Sequence, residues 1–248
     1  MTNSEKGSKE NVWDLPLRLF HWSLVIAFAI SVYTGLNGGF DEMDYHMWSG
    51  YVILTLILFR VCWGFISNGN ARFSEFIKPP SAVLHYLKFG GHSKGHNPLG
   101  ALSVVAMLIL LLIQAFTGLF SNDDIMVEGP LMHLVSDELS GRLTSWHHYN
   151  IWLVGGIVGL HLCAIGFYEY KKERLTIKMI TGSQPSTQSN PELRQNSPDG
   201  SFFNKEPNIE FKREPDEKSD RKPKGQLFIG LVTLVICALF VYYLVNHL

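Results

Sequence analysis

WHHYNIWLVGGIVGLH, residues 146–161, decides how the rest of this sequence is read. The stretch is apolar and long enough for a helix, yet it carries His147, His148 and His161. Ionisable side chains are costly in hydrocarbon and mark the interior of a helix bundle that has a task to perform. His147 and His161 are separated by about 1400° of helix, within about 40° of four full turns. Both therefore project from one face, roughly 21 Å apart along the axis. His148 lies about 140° from His161 and reads as a rim residue.

Working outward from that helix, five runs are long and apolar enough to cross a bilayer, which takes about 20 residues. They are roughly Pro16–Leu36, Tyr45–Ser67, Leu99–Phe120, Trp146–Tyr170 and Gln226–Val245. This pattern predicts an all-α integral membrane protein: a four-helix transmembrane bundle plus a fifth, C-terminal transmembrane helix. The first run follows a polar tail and ends in TGLNGG, without a small-residue cleavage site. It is expected to remain as helix 1 rather than to be removed as a signal peptide.

The formal net charge of −1 hides a steep asymmetry. Of the 21 Lys and Arg residues, all but Arg142 lie in residues 1–18, at Arg60, in the 67–98 loop, or in residues 169–224. The two other loops, GLNGGFDEMDY and SNDDIMVEGPLMHLVSDELSGRLT, are acidic. By the positive-inside rule the N-terminus, the second loop and the long linker are cytoplasmic, and the acidic loops face the periplasm with the C-terminus. The expected location is the bacterial cytoplasmic (inner) membrane.

Orientation then pairs the histidines by depth. His21 stands near the inner start of helix 1 and His46 near the outer start of helix 2. Helix 4 descends from His147 outside to His161 inside, so His46 meets His147 and His21 meets His161. Imidazole is the commonest metal and haem-iron ligand. Two facing imidazoles suit a six-coordinate haem b held between the helices of a bundle. The sequence thus predicts two haem b groups with bis-His ligation: His46/His147 on the periplasmic side and His21/His161 on the cytoplasmic side. No C-x-x-C-H motif is present, so the haems are expected to be non-covalent.

Arg60 is fourteen residues after His46 and shares its inward face one level down, while Arg18 is three before His21. Either arginine suits the propionates of the inner haem, or a snorkelling position at the interface. Gly50, Gly155, Gly156 and Gly159 suit the close approach of a flat macrocycle or of another helix. Cys62, Cys163 and Cys237 lie singly within spans and read as buried small apolar residues. Trp22, Trp48, Trp63, Trp146, Tyr168 and Tyr170 read as an interfacial aromatic belt. His85, His92, His96 and His133 fall in loops, where most histidines are solvated; His96 abuts helix 3 at the inner level.

Four regions follow: a polar tail (1–15), a four-helix cytochrome domain (16–180), a linker (181–225) and a C-terminal helix (226–248). The linker carries eight basic and eight acidic residues among Ser, Pro and Asn, and is expected to be disordered. The last helix reads as an anchor or partner-helix contact. No repeat of 20–50 residues is evident. Between helices 2 and 3, residues 73–77 and 82–87 read as short interfacial pieces flanking Pro79 and Pro80.

Four segments together, VWDLPLRLFHW, HMWSGYVILTLILFRVCWGF, HNPLGALSVVAMLILLLIQAFTGLF and SWHHYNIWLVGGIVGLH, run in order through residues 12–170. They resemble the bacterial cytochrome b561 / nickel–iron hydrogenase b-type cytochrome family. The resemblance implies a four-helix dihaem cytochrome passing electrons between the quinone pool and a partner protein, with axial ligands at His21, His46, His147 and His161. It implies a quinone or quinol, a periplasmic hydrogenase or c-type cytochrome, and membrane lipid as partners, and no nucleic acid. The chain then serves as an electron-transfer subunit of an oxidoreductase rather than as a stand-alone enzyme. The competing reading is a histidine-lined metal-binding or metal-transport protein. That class calls for carboxylates or thioethers along a path, and helices 1 to 4 are almost free of mid-span carboxylates.

Overall fold

Asp14 starts the first helix. Its carboxylate accepts the Leu17 N–H at 2.9 Å while Pro16 occupies the first turn, where a missing N–H costs nothing. The computed structural model describes residues 10–11, 14–67, 71–77, 98–125, 127–171, 174–184 and 223–247, and it is almost wholly helical. In chain order its elements are β1 (Glu10–Asn11), α1 (Leu15–Asn37), α2 (Phe40–Ile66), α3 (Phe73–Phe76) and α4 (Pro98–Gly118). After a 3-10 turn at Met132–Leu134 come α5 (Asp137–Tyr170), α6 (Leu175–Thr181), β2 (Ser183–Gln184) and α7 (Pro223–His247). Of these, α1, α2, α4, α5 and α7 are long and apolar enough to span a bilayer, which is the expected all-α architecture.

Two spans begin earlier than the apolar runs suggest. α2 starts at Phe40 rather than Tyr45, and α5 at Asp137 rather than Trp146. Both added segments carry acidic residues in the first turn, Asp41 and Glu42 or Asp137 and Glu138, where the helix dipole favours negative charge. Ser136 Oγ also accepts the Leu139 N–H at 3.3 Å. With 34 residues, α5 is about 51 Å long, well beyond a hydrocarbon core of about 30 Å. Its first turns stand outside that core and carry the 119–136 loop: Ser140 Oγ donates to the Phe120 carbonyl at 2.8 Å, and Thr144 Oγ1 accepts the Asn122 N–H at 3.0 Å.

α1 and α2 form a tight hairpin. Gly38, at φ 66°, closes α1 by donating its N–H to the Thr34 carbonyl, and Gly39 caps α2. α2 is the hub, because all three apolar clusters contain its residues. The cluster at the Asp14 end of the bundle, the end called inner from here on as a label of position in the bundle, joins Leu17, Phe20, Leu56, Phe59, Trp63 and Cys237; the middle one joins Ala27, Ile53, Ile57, Leu111 and Val154. The outer one joins Leu54, Leu119, Leu131 and Val241. The C-terminal helix is therefore packed along α2, through Gly230, Thr233, Cys237 and Val241, rather than standing apart.

Other expectations are corrected. Trp63 is not a belt residue: it is 1% exposed and donates its Nε1–H to Asp14 Oδ2 at 3.0 Å, tying the inner end of α2 to the cap of α1. Cys163 is exposed, whereas Cys237 is buried and Cys62 half-buried; all three are free thiols. Glu10–Asn11 pairs antiparallel with Ser183–Gln184, and the Arg18 guanidinium donates to the Ile180 carbonyl. Backbone pairing of two polar residues has no periodicity from which a sequence reading could find it. The expectations for residues 78–97, including His85, His92 and His96, and for most of the linker lie outside the described residues.

Candidate functional site

The two histidines that orientation matched at the outer level face each other. The His46 and His147 rings have centroids 6.1 Å apart and planes crossed at 88°. Two imidazoles bound to one metal ion from opposite sides, at the about 2.0 Å distance usual for histidine nitrogen, place their ring centres roughly 6.3 Å apart. The observed separation therefore fits an axial pair. His148 is exposed on the far side of its neighbour, with its ring 6.2 Å from that of His147.

Each outer ring is oriented by the helix beside it. His46 Nδ1 lies 2.8 Å from the Ser31 carbonyl, and His147 Nδ1 lies 2.9 Å from the Gln114 carbonyl. A carbonyl only accepts, so in both rings Nδ1 carries the proton and donates. Nε2 is then left as a lone-pair donor, the tautomer a metal-ligating histidine needs. Hydroxyls stand close by: Ser31 Oγ is 3.4 Å from His46 Nδ1, and Thr117 Oγ1 is 3.2 Å from His147 Nδ1.

Polar side chains in the membrane bind α4 to α5 beneath His147. Asn150 Nδ2 donates to the Leu110 carbonyl at 2.9 Å and to Gln114 Oε1 at 2.8 Å. Gln114 Nε2 donates in turn to the His147 carbonyl at 3.1 Å. Each donor is satisfied inside the bundle, as low dielectric demands. Sequence reading passed over Gln114 and Asn150. Both are polar side chains within an apolar span, the same signal that marks the histidines.

The inner level is built differently. The His21 ring stands edge-on to Trp22 at 5.3 Å, and His161 is half-buried on α5. His21 Nδ1 is buried with no hydrogen-bond partner. Arg60 is buried, as its register requires, with its guanidinium 4.8 Å from the centre of the Phe73 ring. Arg18 turns toward the end of α6 through its bond to Ile180.

Between the two levels lies an apolar septum. Val154 is midway between His147 and His161 on α5, and Val154 and Ile57 are both fully buried. With Ala27, Ile53 and Leu111 they form an apolar layer between the level of His46 and His147 and the level of His21 and His161. Among the described residues no group of three or more His, Cys, Asp or Glu side chains comes together, as a closed structural metal site requires. A Cβ at Gly50, Gly155, Gly156 or Gly159 would meet no atom within 4 Å, so these glycines do not serve to pack one helix on another. His133 sits on the exposed 3-10 turn, away from both pairs.

A haem held by two imidazoles fits these residues on two counts: the spacing of the outer pair and its Nδ1–H tautomer. Comparison with known proteins points the same way. Residues 12–182 match the sequence model of prokaryotic cytochrome b561, which takes in α1 to α6 and leaves out α7. The chain is similar to the probable Ni/Fe-hydrogenase 1 B-type cytochrome subunit of Escherichia coli (strain K12), 24% identical over 188 residues that cover 61% of this chain and 80% of the relative. It is 27% identical over 190 residues to the probable Ni/Fe-hydrogenase B-type cytochrome subunits of Azotobacter chroococcum mcd 1 and Azotobacter vinelandii, covering 61% of this chain and 78% of each relative. No solved structure matches the chain. The chain therefore belongs to the prokaryotic cytochrome b561 family and is a membrane-embedded b-type cytochrome of electron transfer.

Proposed function

We propose that this chain holds two haem b groups by bis-His ligation and steps electrons across the cytoplasmic membrane between the quinone pool and a partner redox protein. The observation that carries the reading is the outer pair: imidazoles 6.1 Å apart, both with Nδ1–H given to a carbonyl and Nε2 left free. His46 and His147 hold the outer group and His21 and His161 the inner one. Each bound haem supplies a one-electron iron couple, tuned by axial ligation and burial. The histidines fix the two positions, roughly 21 Å apart along α5, and the Ile57/Val154 septum keeps them separate and dry. Arg60 and Arg18 supply positive charge at the inner level, where propionates need it.

Charge asymmetry supports a cytoplasmic N-terminus and a periplasmic C-terminus in the inner membrane. The relatives' names support a hydrogenase as the partner on the periplasmic side, with a c-type cytochrome as the other candidate. The chain thus acts as the electron-transfer subunit of a larger oxidoreductase. The test uses purified protein reconstituted in vesicles that enclose ferricyanide. A quinol added outside should reduce it through b-type absorption bands; haem-loaded protein that passes no electrons would contradict the reading.

A further inference from the structure

The two helices that orient the outer histidines carry the same short sequence at the same place. The end of α1 reads Ile30-Ser-Val-Tyr-Thr-Gly-Leu36, and the end of α4 with the residue after it reads Ile113-Gln-Ala-Phe-Thr-Gly-Leu119. Ile, Thr, Gly and Leu recur at identical positions, and Tyr33 is matched by Phe116. A seven-residue echo is too short to appear as a repeat of domain size, and the loops that follow differ greatly in length.

The structure gives the two copies the same contacts. In each, the residue after Ile offers its backbone carbonyl to a histidine of the next spanning helix: Ser31 to His46 at 2.8 Å, Gln114 to His147 at 2.9 Å. In each, the Thr hydroxyl donates to the Ile carbonyl four residues back, Thr34 to Ile30 at 2.7 Å and Thr117 to Ile113 at 2.8 Å. The same hydroxyls lie 3.3 Å and 3.1 Å from the carbonyls that receive the imidazoles. Such back-bonding bends a helix and turns its last carbonyls away from the axis, where a side chain from a neighbouring helix can reach them. In each, finally, the glycine lies under the ring. A Cβ at Gly35 would stand 2.7 Å from His46 Cε1, and one at Gly118 would stand 3.0 Å from His147 Cε1.

We propose that these two segments are one histidine cradle used twice, in which Ser31, Thr34 and Gly35 on α1 and Gln114, Thr117 and Gly118 on α4 are positioning residues for His46 and His147. The carbonyl sets the tautomer, the glycine sets the depth of the ring, and the threonine opens the carbonyl to it. Together the two cradles hold the rings crossed at 88°. Their partnership with a carbonyl also makes both imidazoles more basic ligands. The inference rests on the assignment of His46 and His147 as ligands of the outer haem.

The test measures haem retention and the EPR spectrum of the oxidised outer haem. Crossed axial imidazole planes give ferric haem a highly anisotropic low-spin signal, whereas parallel planes give an ordinary rhombic one. Wild-type protein should show the anisotropic signal at the outer haem. Gly35→Ala should shift that signal and weaken outer-haem retention by about 10–100-fold, the usual cost of disturbing a ligand's supporting partner. Gly118→Ala should act in the same direction but less, because its ring has more clearance. Gly166→Ala, whose Cβ would meet no atom within 4 Å, serves as the control and should match wild type. Thr34→Val and Thr117→Val should raise the outer potential, and Thr→Ser at either position should restore it; these variants remain informative even if an alanine variant fails to fold. Unchanged retention, spectrum and potential in all four cradle variants, with His46→Ala still losing the outer haem, would overturn the cradle alone. Retention of the outer haem by His46→Ala would overturn the ligand assignment itself.

Discussion

The level of His46 and His147 and the level of His21 and His161 are built in two different ways. At the outer level, both Nδ1 groups are held by backbone carbonyls, and a glycine lies beneath each ring. At the inner level His21 Nδ1 is buried without a partner, and the charged neighbours are Arg60, over the Phe73 ring, and Arg18, bonded to the end of α6. The outer site is preorganised by protein alone, and the inner one is shaped by long cationic side chains. A ligand fixed by its supporting hydrogen bond is more basic and less free to turn. The outer haem should therefore be the more firmly held of the two.

The largest effect expected is loss of one site without the other. His147→Ala should remove the outer haem and spare the inner, and His161→Ala should do the reverse, as judged by the optical difference spectrum of each purified variant. Loss of both haems from either variant would show that the septum does not separate two sites. Next in size is a change that strikes both levels equally. Ile57→Ala opens a cavity in the septum and should cost about 2–5 kcal/mol, read as a lower melting temperature with both haems released together.

A smaller change should sharpen the contrast. Asn150→Leu removes two hydrogen bonds between α4 and α5, at about 0.6 kcal/mol each in a membrane bundle. It should loosen the outer haem on mild heating and leave the inner one unaffected. Release of the inner haem first would contradict the assignment of Gln114 and Asn150 to the support of His147. Smallest of all is Glu138→Ala. Its 2.6 Å ion pair with Arg142 lies on the exposed first turns of α5, more than two-thirds solvent-exposed on both sides. Such pairs contribute about 0.3–0.5 kcal/mol, so haem content and melting should stay at wild-type values.

Much of this was legible in the sequence because helix rise and charge obey simple rules. Five apolar runs predict five spans, and the expected pairing of His46 with His147 follows from depth together with the helix face that His147 shares with His161. Trp63 departs from the expected belt because an aromatic residue near a span end looks the same in sequence whether it meets lipid or a cap. Only the fold shows Asp14 waiting for its N–H. The early starts of α2 and α5 were hidden because their first turns are polar, held by caps and dipole rather than by an apolar face. Ser31, Gly35, Gln114 and Gly118 were passed over for a different reason. They act through a carbonyl or through the lack of a side chain, and neither announces itself in composition.

The central claim is that one chain carries two haem groups in two separate histidine pairs. The most direct measurement is haem b per chain in the purified full-length protein, by pyridine haemochrome absorbance against quantified protein. The account predicts two, and a well-folded, fully loaded protein with only one would contradict it.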